Sequence, residues 1–363
     1  MSGKNFFPVV IAGAGPAGLS AAITLAQRGL SVCVLEPFIV PASKAGEVVS
    51  PGIEPLLERL GVRVAFEHNH HLPCYGFRFR WGSDTPAEKL FIADPRGNGW
   101  QLDRTVFETQ LRGRALSLGV EMRLGYRICQ VKRTATGWEI EAEGENSETF
   151  LQSAFLADAT GRSGAIARWV GAKRLQYDKL VGISGTFQLK ADVVLKHYTQ
   201  VESAANGWWY AVEIPGNRLR AVYMTDADLL DKNIQQPEIF REQFEQSANG
   251  KELYASIEEF CGTVSTHSAS TSALEIPYGD SWLALGDAAY AFDPVSSYGI
   301  SSALGSGFYA GNAIADAIRG NPDALPAYRY VMESAFQQYL KMWHEQYRYE
   351  QRWPESEFWK RRH

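Results

Sequence analysis

Cysteine is scarce: Cys33, Cys74, Cys129 and Cys261 are widely separated in 363 residues and form no C-x-x-C. That spacing argues against a disulfide framework. Three of the four adjoin strand-like apolar runs, which predicts buried free thiols in a reducing compartment. Positive charge is not in excess either, since the formal net charge is −5, which offers no electrostatic footprint for nucleic acid. The longest uncharged run, Pro294 to Ala315, is too rich in glycine and serine for a membrane span. The N-terminus does not read as a signal peptide, because FFPVVIAGAG passes straight into a glycine motif. A cytoplasmic enzyme is the expectation. The histidine run His68 to His71 has no carboxylate at i+4 and adjoins Pro73, so a solvated loop is expected there and no metal site.

What is present is ordinary globular material, 45% apolar and 21% charged, in a chain long enough for one large domain or two modest ones. Ten tryptophans, sixteen tyrosines and eighteen phenylalanines make it rich in rings. A large planar ligand or a partner surface would use them, although rings are first of all core.

The stretch PVVIAGAGPAGLSAAITLAQRGLSVCVLE holds G-x-G-x-x-G as Gly13, Gly15 and Gly18. Its context is what makes it specific. Val9 to Ala12 reads as a buried strand, and Leu19, Ala22, Ile23 and Ala26 form the stripe of a helix packed on a sheet. Gly29 stops that helix, and a second strand, Ser31 to Leu35, ends on Glu36. Gly13 permits the tight turn, Gly15 lets backbone approach a pyrophosphate, and Gly18 lets helix and strand close up. With Pro16 and Ala17 they open a helix whose free N–H groups and positive dipole face the phosphates. Glu36 is placed to accept both ribose hydroxyls of an adenosine and opposes a 2′-phosphate. A dinucleotide follows; the motif alone leaves FAD and NAD both open. With no second G-x-G-x-x-G in the chain, FAD is favoured.

Four further segments carry chemistry. In KAGEVVSPGIEPLLERLGV, Lys44 to Val62, Glu47 is an acid in a turn, able to bond a flavin hydroxyl or backbone, or to cap the helix around Pro55 to Leu60. In GWQLDRTVFETQLRGRALSLGV, Gly99 to Val120, Arg104 opens a helix with Val106, Phe107, Leu111 and Ala115 facing inward. Its guanidinium suits a phosphate, or a salt bridge at the surface. ADATGRSGAIAR, Ala157 to Arg168, brings Asp158 and Gly161 to a loop beside the dinucleotide, in a structural role. GDAAYAFDPVSSYG, Gly286 to Gly299, follows an apolar strand, Trp282 to Leu285, and leads into a helix.

Together these segments resemble those of FAD-dependent monooxygenases and flavin-dependent halogenases, in the superfamily of aromatic hydroxylases and geranylgeranyl reductases. The resemblance covers most of the chain in order and spacing. It implies an α/β fold with α+β elements: a Rossmann-like FAD-binding domain, an interleaved antiparallel sheet that roofs the isoalloxazine and binds substrate, and a C-terminal helix. The expected layout is FAD-binding parts at 1–80, 99–174 and 276–322, a sheet excursion at 81–98, a substrate domain at 175–275 and a helical tail at 323–363. It assigns Arg104 to a phosphate and Gly286 and Asp287 to ribityl or pyrophosphate-linked groups. Pro294 would stiffen the loop, and Gly299 would clear room for the isoalloxazine. The helix from Ile300 would point its dipole at the N1–C2=O edge, a stabilisation of about 0.3–2 kcal/mol for the reduced anion.

Within 175–275, GWWYAVEIPGNRLRAVYMTD reads as a hairpin turning at Pro215, Gly216 and Asn217, Phe240 to Phe260 as helix, and Gly262 to Ala273 as strand. Alternation points Trp208 and Tyr210 to one face and Trp209 to the other; Trp209 and Tyr210 are the candidate substrate wall, against plain sheet packing. The segment GWWYAVEIP departs from the halogenase G-W-x-W-x-I-P, and neither Lys44 nor Lys89 aligns with the lysine that captures hypohalous acid, which disfavours halogenation. No catalytic side chain is identified. The tail places Tyr330, Phe336, Tyr339, Trp343, Tyr347 and Tyr349 on a long helix, more rings than one narrow face holds. Its ending RWPESEFWKRR resembles the LodB-like flavoproteins, which hydroxylate a tryptophan inside a partner oxidase during assembly of its cysteine tryptophylquinone. The implied activity is hydroxylation of an indole-like ring through a flavin C4a-hydroperoxide. It would use O₂ and a reductant, either NAD(P)H or reduced flavin, on a partner oxidase as substrate. An alkene reductase of the geranylgeranyl type, or a flavoprotein that assists maturation without turnover, are the alternatives.

Overall fold

In a computed structural model, which describes residues 5–41, 47–69, 71–145, 147–193 and 195–363, the N-terminal apolar run is the strand Phe6–Ala12. Lys44, Gly46 and His70 lie outside the described residues. The strand pairs in parallel with Val32–Glu36 on one side and Glu148–Asp158 on the other. Trp282–Ala284 and Glu121–Leu124 extend this sheet outward, also in parallel. Tyr278–Gly279, Gly137–Glu143 and Arg127–Thr134 complete eight strands with antiparallel pairs. The register sets Ala12 beside Leu35 and Asp158, and Asp158 beside Ala284. The carboxyl ends of four parallel strands therefore share one edge, where an open α/β sheet holds its ligand.

Two helices, Pro16–Gln27 and Gly299–Ile318, cross almost backbone to backbone. A Cβ on Gly307 would stand 2.1 Å from the Ala17 carbonyl oxygen, and one on Gly311 2.8 Å from Thr24 Cβ. Small residues at these positions allow the approach. The Ser20 hydroxyl ties the crossing by donating to the Leu304 carbonyl at 2.7 Å.

A second sheet has seven strands in the order Ile257–Ser268, Leu180–Leu189, Arg218–Asp226, Gly207–Ile214, Tyr198–Ala204, Gly76–Arg80 and Ala87–Leu90. All pairs are antiparallel except Tyr198–Ala204 with Gly76–Arg80. The Gly207–Ile214 and Arg218–Asp226 hairpin turns through Gly216 and Asn217, both at positive φ. Phe240 to Phe260 is not one helix. It divides into Pro237–Gln246 and Ala248–Leu253, and the edge strand already begins at Ile257. Ser247 is extended (φ −66°, ψ 162°) and its side chain accepts from Gly250 N–H, capping the second helix at the break.

The tail helix Ala324–Arg348 runs from the first sheet's core to the second sheet's. Phe336 and Tyr339 join the first cluster; Tyr347, Phe358 and Trp359 join Trp81, Trp208 and Tyr210 in the other. Tyr330 and Tyr349 stay 75% and 70% exposed, the surplus of rings the helix could not bury. The cysteines are free thiols, but only Cys33 and Cys74 are buried; Cys129 is exposed because its strand has one face in solvent.

Candidate functional site

At the shared strand edge the glycine loop has the close contacts its residues predict. Gly13 has φ +107°, and a Cβ there would stand 2.3 Å from the Ala159 carbonyl oxygen. A Cβ on Gly18 would stand 2.0 Å from the Gly13 carbonyl oxygen, so strand and helix close to backbone contact. Gly15 faces open space, with nothing within 4 Å of its Cβ position. It is the N-cap of Pro16–Gln27 and no side chain caps that helix, leaving the first-turn N–H groups for a ligand. Ala17 touches the second glycine element: a Cβ on Gly286 (φ +59°) would stand 2.7 Å from Ala17 Cβ. The two motifs, far apart in sequence, meet here.

Glu36 is 8% exposed; its Oε2 accepts from Ala14 N–H at 2.7 Å and its Oε1 from Phe38 N–H at 3.1 Å. The carboxylate is thereby locked at the mouth of the glycine loop. Asp158 is fully buried and accepts from the Thr160 N–H, the Thr160 hydroxyl and Ala167 N–H, which fixes the A-T-G-R turn. From that turn Arg162 reaches Asp287 (Nε–Oδ2 3.3 Å) and donates to the carbonyls of Ser270 and Phe292, the latter at 2.7 Å. One guanidinium thus joins three segments of the site.

Arg104 opens the helix Arg104–Ser117, which Asp103 caps by accepting from Val106 N–H at 3.0 Å. Its guanidinium donates to Glu108 Oε1 at 2.6 Å, one turn on, and the pair is largely enclosed rather than at the surface. Glu47 does not cap the next helix: Glu54–Leu60 begins at Ile53 with no side-chain cap. Its carboxylate instead meets Arg220 of the second sheet (Nε–Oε1 3.3 Å), both side chains largely buried. Nothing local in the sequence pairs positions 47 and 220. Arg220, Val222 and Met224 share the face of Arg218–Asp226 that meets Val48 and Val295, and Tyr210 faces the same way. Trp209 lies on the opposite face, 4% exposed, ringed by Tyr223, Phe240 and Phe244 at 4.9–5.5 Å between centroids. It is core packing of the outer layer and has no open face.

The G-D-A-x-x-x-x-D-P turn is organised by Asp293. Its Oδ1 accepts from Val295 N–H at 2.8 Å, capping the short turn Pro294–Ser296. Gly299–Ile318 follows with Tyr298 as an uncapped start, nothing within 4 Å of the Gly299 Cβ position, and Ile300 buried. Burial, with the Asp178 carboxylate nearby, pushes Asp293 up to about 6.

Two residues here escaped the sequence reading. Gln101 is fully buried beside the Cys74 thiol, a weak partner, and neither of its amide atoms meets an oxygen or nitrogen at hydrogen-bond geometry among the described residues. Its only signal was adjacency to L-D-R. His267 lies opposite Gly182, over which its ring leans (Nε2 2.7 Å from where a Cβ would stand), and burial together with Arg162 and Arg220 pushes it down to about 4. The histidine run is not a solvated loop throughout: His68 is exposed, but His71 is 6% exposed and its Nδ1 accepts from Asp103 N–H at 3.2 Å. An orphaned buried amide, an open Gly15 and two helix N-termini without side-chain caps fit a long, polar, phosphate-bearing cofactor such as FAD.

A family model described as an FAD binding domain matches residues 7–339. LodB of Marinomonas mediterranea, described as an FAD-dependent oxidoreductase, is 26% identical over 98% of this chain and 97% of its own length. The structure of the peptidyl tryptophan dihydroxylase QhpG, essential for tryptophylquinone cofactor biogenesis, is 26% identical. It superposes with a TM-score of 0.77 over 98% of this chain and 78% of that one. The myxobacterial chondrochloren halogenase CndH, 19% identical, shares the fold with a TM-score of 0.90, over 99% of this chain and 86% of its own.

Proposed function

The chain belongs to the FAD binding domain family and is an FAD-dependent oxidoreductase of the monooxygenase type; from that premise we propose that it hydroxylates an indole-like ring, a tryptophan residue of a partner oxidase precursor. The observation that carries this reading is the likeness to a peptidyl tryptophan dihydroxylase, over 98% of this chain and 78% of that one. A second supports it against halogenation: Lys89, and every other lysine among the described residues, is exposed, so none of these is buried to capture a hypohalous acid.

In this reading the Gly13–Gly18 loop and Arg104 take the phosphates, Glu36 the adenosine ribose, and Glu47, Gln101 and Asp287 the polar chain toward the ring system. Pro294, Gly299 and Ile300 form the seat of the isoalloxazine. When bound, FAD supplies two-electron chemistry with O₂, one oxygen atom going to the ring and the other leaving as water. The chain's own part is to orient and to exclude water. Tyr210, Val222 and Met224 give the substrate side a buried apolar wall, where fixed dipoles act more strongly than in solvent. The uncapped N-terminus of Gly299–Ile318 offers positive potential where negative charge grows. The reductant would be NAD(P)H or reduced flavin that docks transiently.

The test is to reduce the FAD-loaded protein anaerobically, add O₂ with a tryptophan-containing partner peptide, and follow reoxidation and peptide mass. The expected result is oxygen incorporation into the peptide tryptophan and little turnover of free tryptophan. Reduced protein that O₂ does not reoxidise, even with the peptide present, removes the monooxygenase reading and leaves the alkene reductase. Reoxidation with no mass change leaves a maturation partner without turnover.

A further inference from the structure

Three rings of the tail helix converge on one buried residue, Asp293, two of them on its carboxylate and one on its backbone N–H. Tyr339, Trp343 and Tyr347 are spaced four residues apart and so share a face of Ala324–Arg348. The Tyr339 hydroxyl accepts from Asp293 N–H at 2.8 Å and exchanges a hydrogen bond with the Thr271 hydroxyl at 2.8 Å. Trp343 Nε1–H and the Tyr347 hydroxyl both donate to Asp293 Oδ2, at 2.9 and 2.8 Å. The Tyr347 oxygen in turn accepts from Trp208 Nε1–H of the second sheet, at 3.0 Å. Asp293 and Tyr347 are fully buried, so no water replaces these bonds if they are lost.

Asp293 is also the cap of the Pro294–Ser296 turn from which Gly299–Ile318 starts. The same carboxylate therefore sets the turn with one oxygen and is held by the tail with the other. A helix spacing that would otherwise be plain core packing carries polar atoms at all three positions, each aimed at one residue. Ordinary packing would be served equally by phenylalanine and leucine.

We propose that Trp343 and Tyr347 are positioning residues: acting through Asp293, they fix the flavin's seat at the start of Gly299–Ile318, and Tyr347 couples that seat to the substrate-facing side of the second sheet through Trp208. The proposal rests on the reading that the isoalloxazine lies at this helix start. It gives the tail a task in tuning the cofactor, in addition to covering the second sheet.

The experiment uses the full-length, FAD-loaded protein and the variants Tyr347→Phe, Trp343→Phe and Asp293→Asn, with Tyr349→Phe, 70% exposed, as control. Three quantities are read: the FAD dissociation constant from flavin fluorescence, the two-electron potential of bound FAD by dye equilibration, and thermal stability. Losing one bond to a buried charged acceptor is expected to weaken FAD binding about tenfold and to shift the potential. The double variant Trp343→Phe/Asp293→Asn is expected to equal Asp293→Asn alone, because the Trp343 Nε1–H acts through that carboxylate, whereas Tyr347→Phe also gives up the bond from Trp208. Unchanged affinity and potential in Tyr347→Phe and Trp343→Phe, or effects that add in the double variant, overturn the proposal. Should Tyr347→Phe not fold, Trp343→Phe and the double variant decide by the same criteria. Gly299→Val tests the seat separately. FAD binding unaffected by it removes the seat and the proposal together; binding weakened by it but unmoved by the tail variants removes the proposal alone.

Discussion

His71 and His267 are each pushed down to about 4, above all by burial. In the unfolded chain they titrate near 6.5, so between pH 6.5 and 4 the unfolded state binds the extra proton and acid erodes stability. Asp293 acts in the opposite sense. Its folded value of about 6 exceeds the usual carboxyl value, so its contribution is present at low pH and is lost as pH rises toward 6. His71→Gln is expected to flatten the acid side of the stability profile, and Asp293→Asn to remove the opposing slope. Denaturation midpoints measured from pH 4 to 7 check both; parallel profiles in wild type and variants would contradict the assignment. At this scale Glu36 was legible, because strand, turn and helix lengths fix how far it lies from the glycine loop. Arg220 was not, because its partner Glu47 comes from an irregular segment far away in sequence, and pairing between distant segments leaves no local pattern.

The crossing of Pro16–Gln27 with Gly299–Ile318 separates two kinds of glycine within one element. Gly307→Ala drives a methyl group into the Ala17 backbone and should cost about 1–3 kcal/mol. Gly305→Ala, with nothing within 4 Å of its Cβ position, should stabilise the same helix by about 0.5–1 kcal/mol. Urea unfolding of the two single variants checks the contrast, and equal effects would mean the helices do not cross at Gly307. Strands, the hairpin turn and the long helices followed from periodicity and turn residues. The break at Ser247 did not, because both helices beside it carry acidic and amide residues that continue a single pattern across it.

Across the whole molecule the tail closes the structure. Arg362, 1% exposed at its side chain, donates to both oxygens of Asp226 at 2.6 and 3.1 Å and to the Phe358 carbonyl at 2.9 Å. Arg362→Ala leaves the buried Asp226 carboxylate to the more exposed Arg361, which donates to its Oδ2 at 3.1 Å, and is expected to cost about 3 kcal/mol, the low end for a broken buried pair, whereas Arg362→Met with Asp226→Leu should recover most of it. Equilibrium denaturation of both variants decides; a single variant as stable as wild type would show the pair to be dispensable. Among the described residues no helix is long and apolar enough to cross a membrane.

The sequence by itself determined the dinucleotide loop and its acid, because glycine sterics, helix dipoles and strand length act over a few residues; FAD over NAD was favoured only by what the rest of the chain lacks, a second G-x-G-x-x-G. It also determined that the tail carried more rings than one face could bury. Only the tertiary structure decided where those rings go: three of their polar atoms meet Asp293, forty-six to fifty-four residues away, and one passes the contact on to Trp208. The reason is that a hydrogen bond between distant elements depends on how two cores pack, and no periodicity along one element records it.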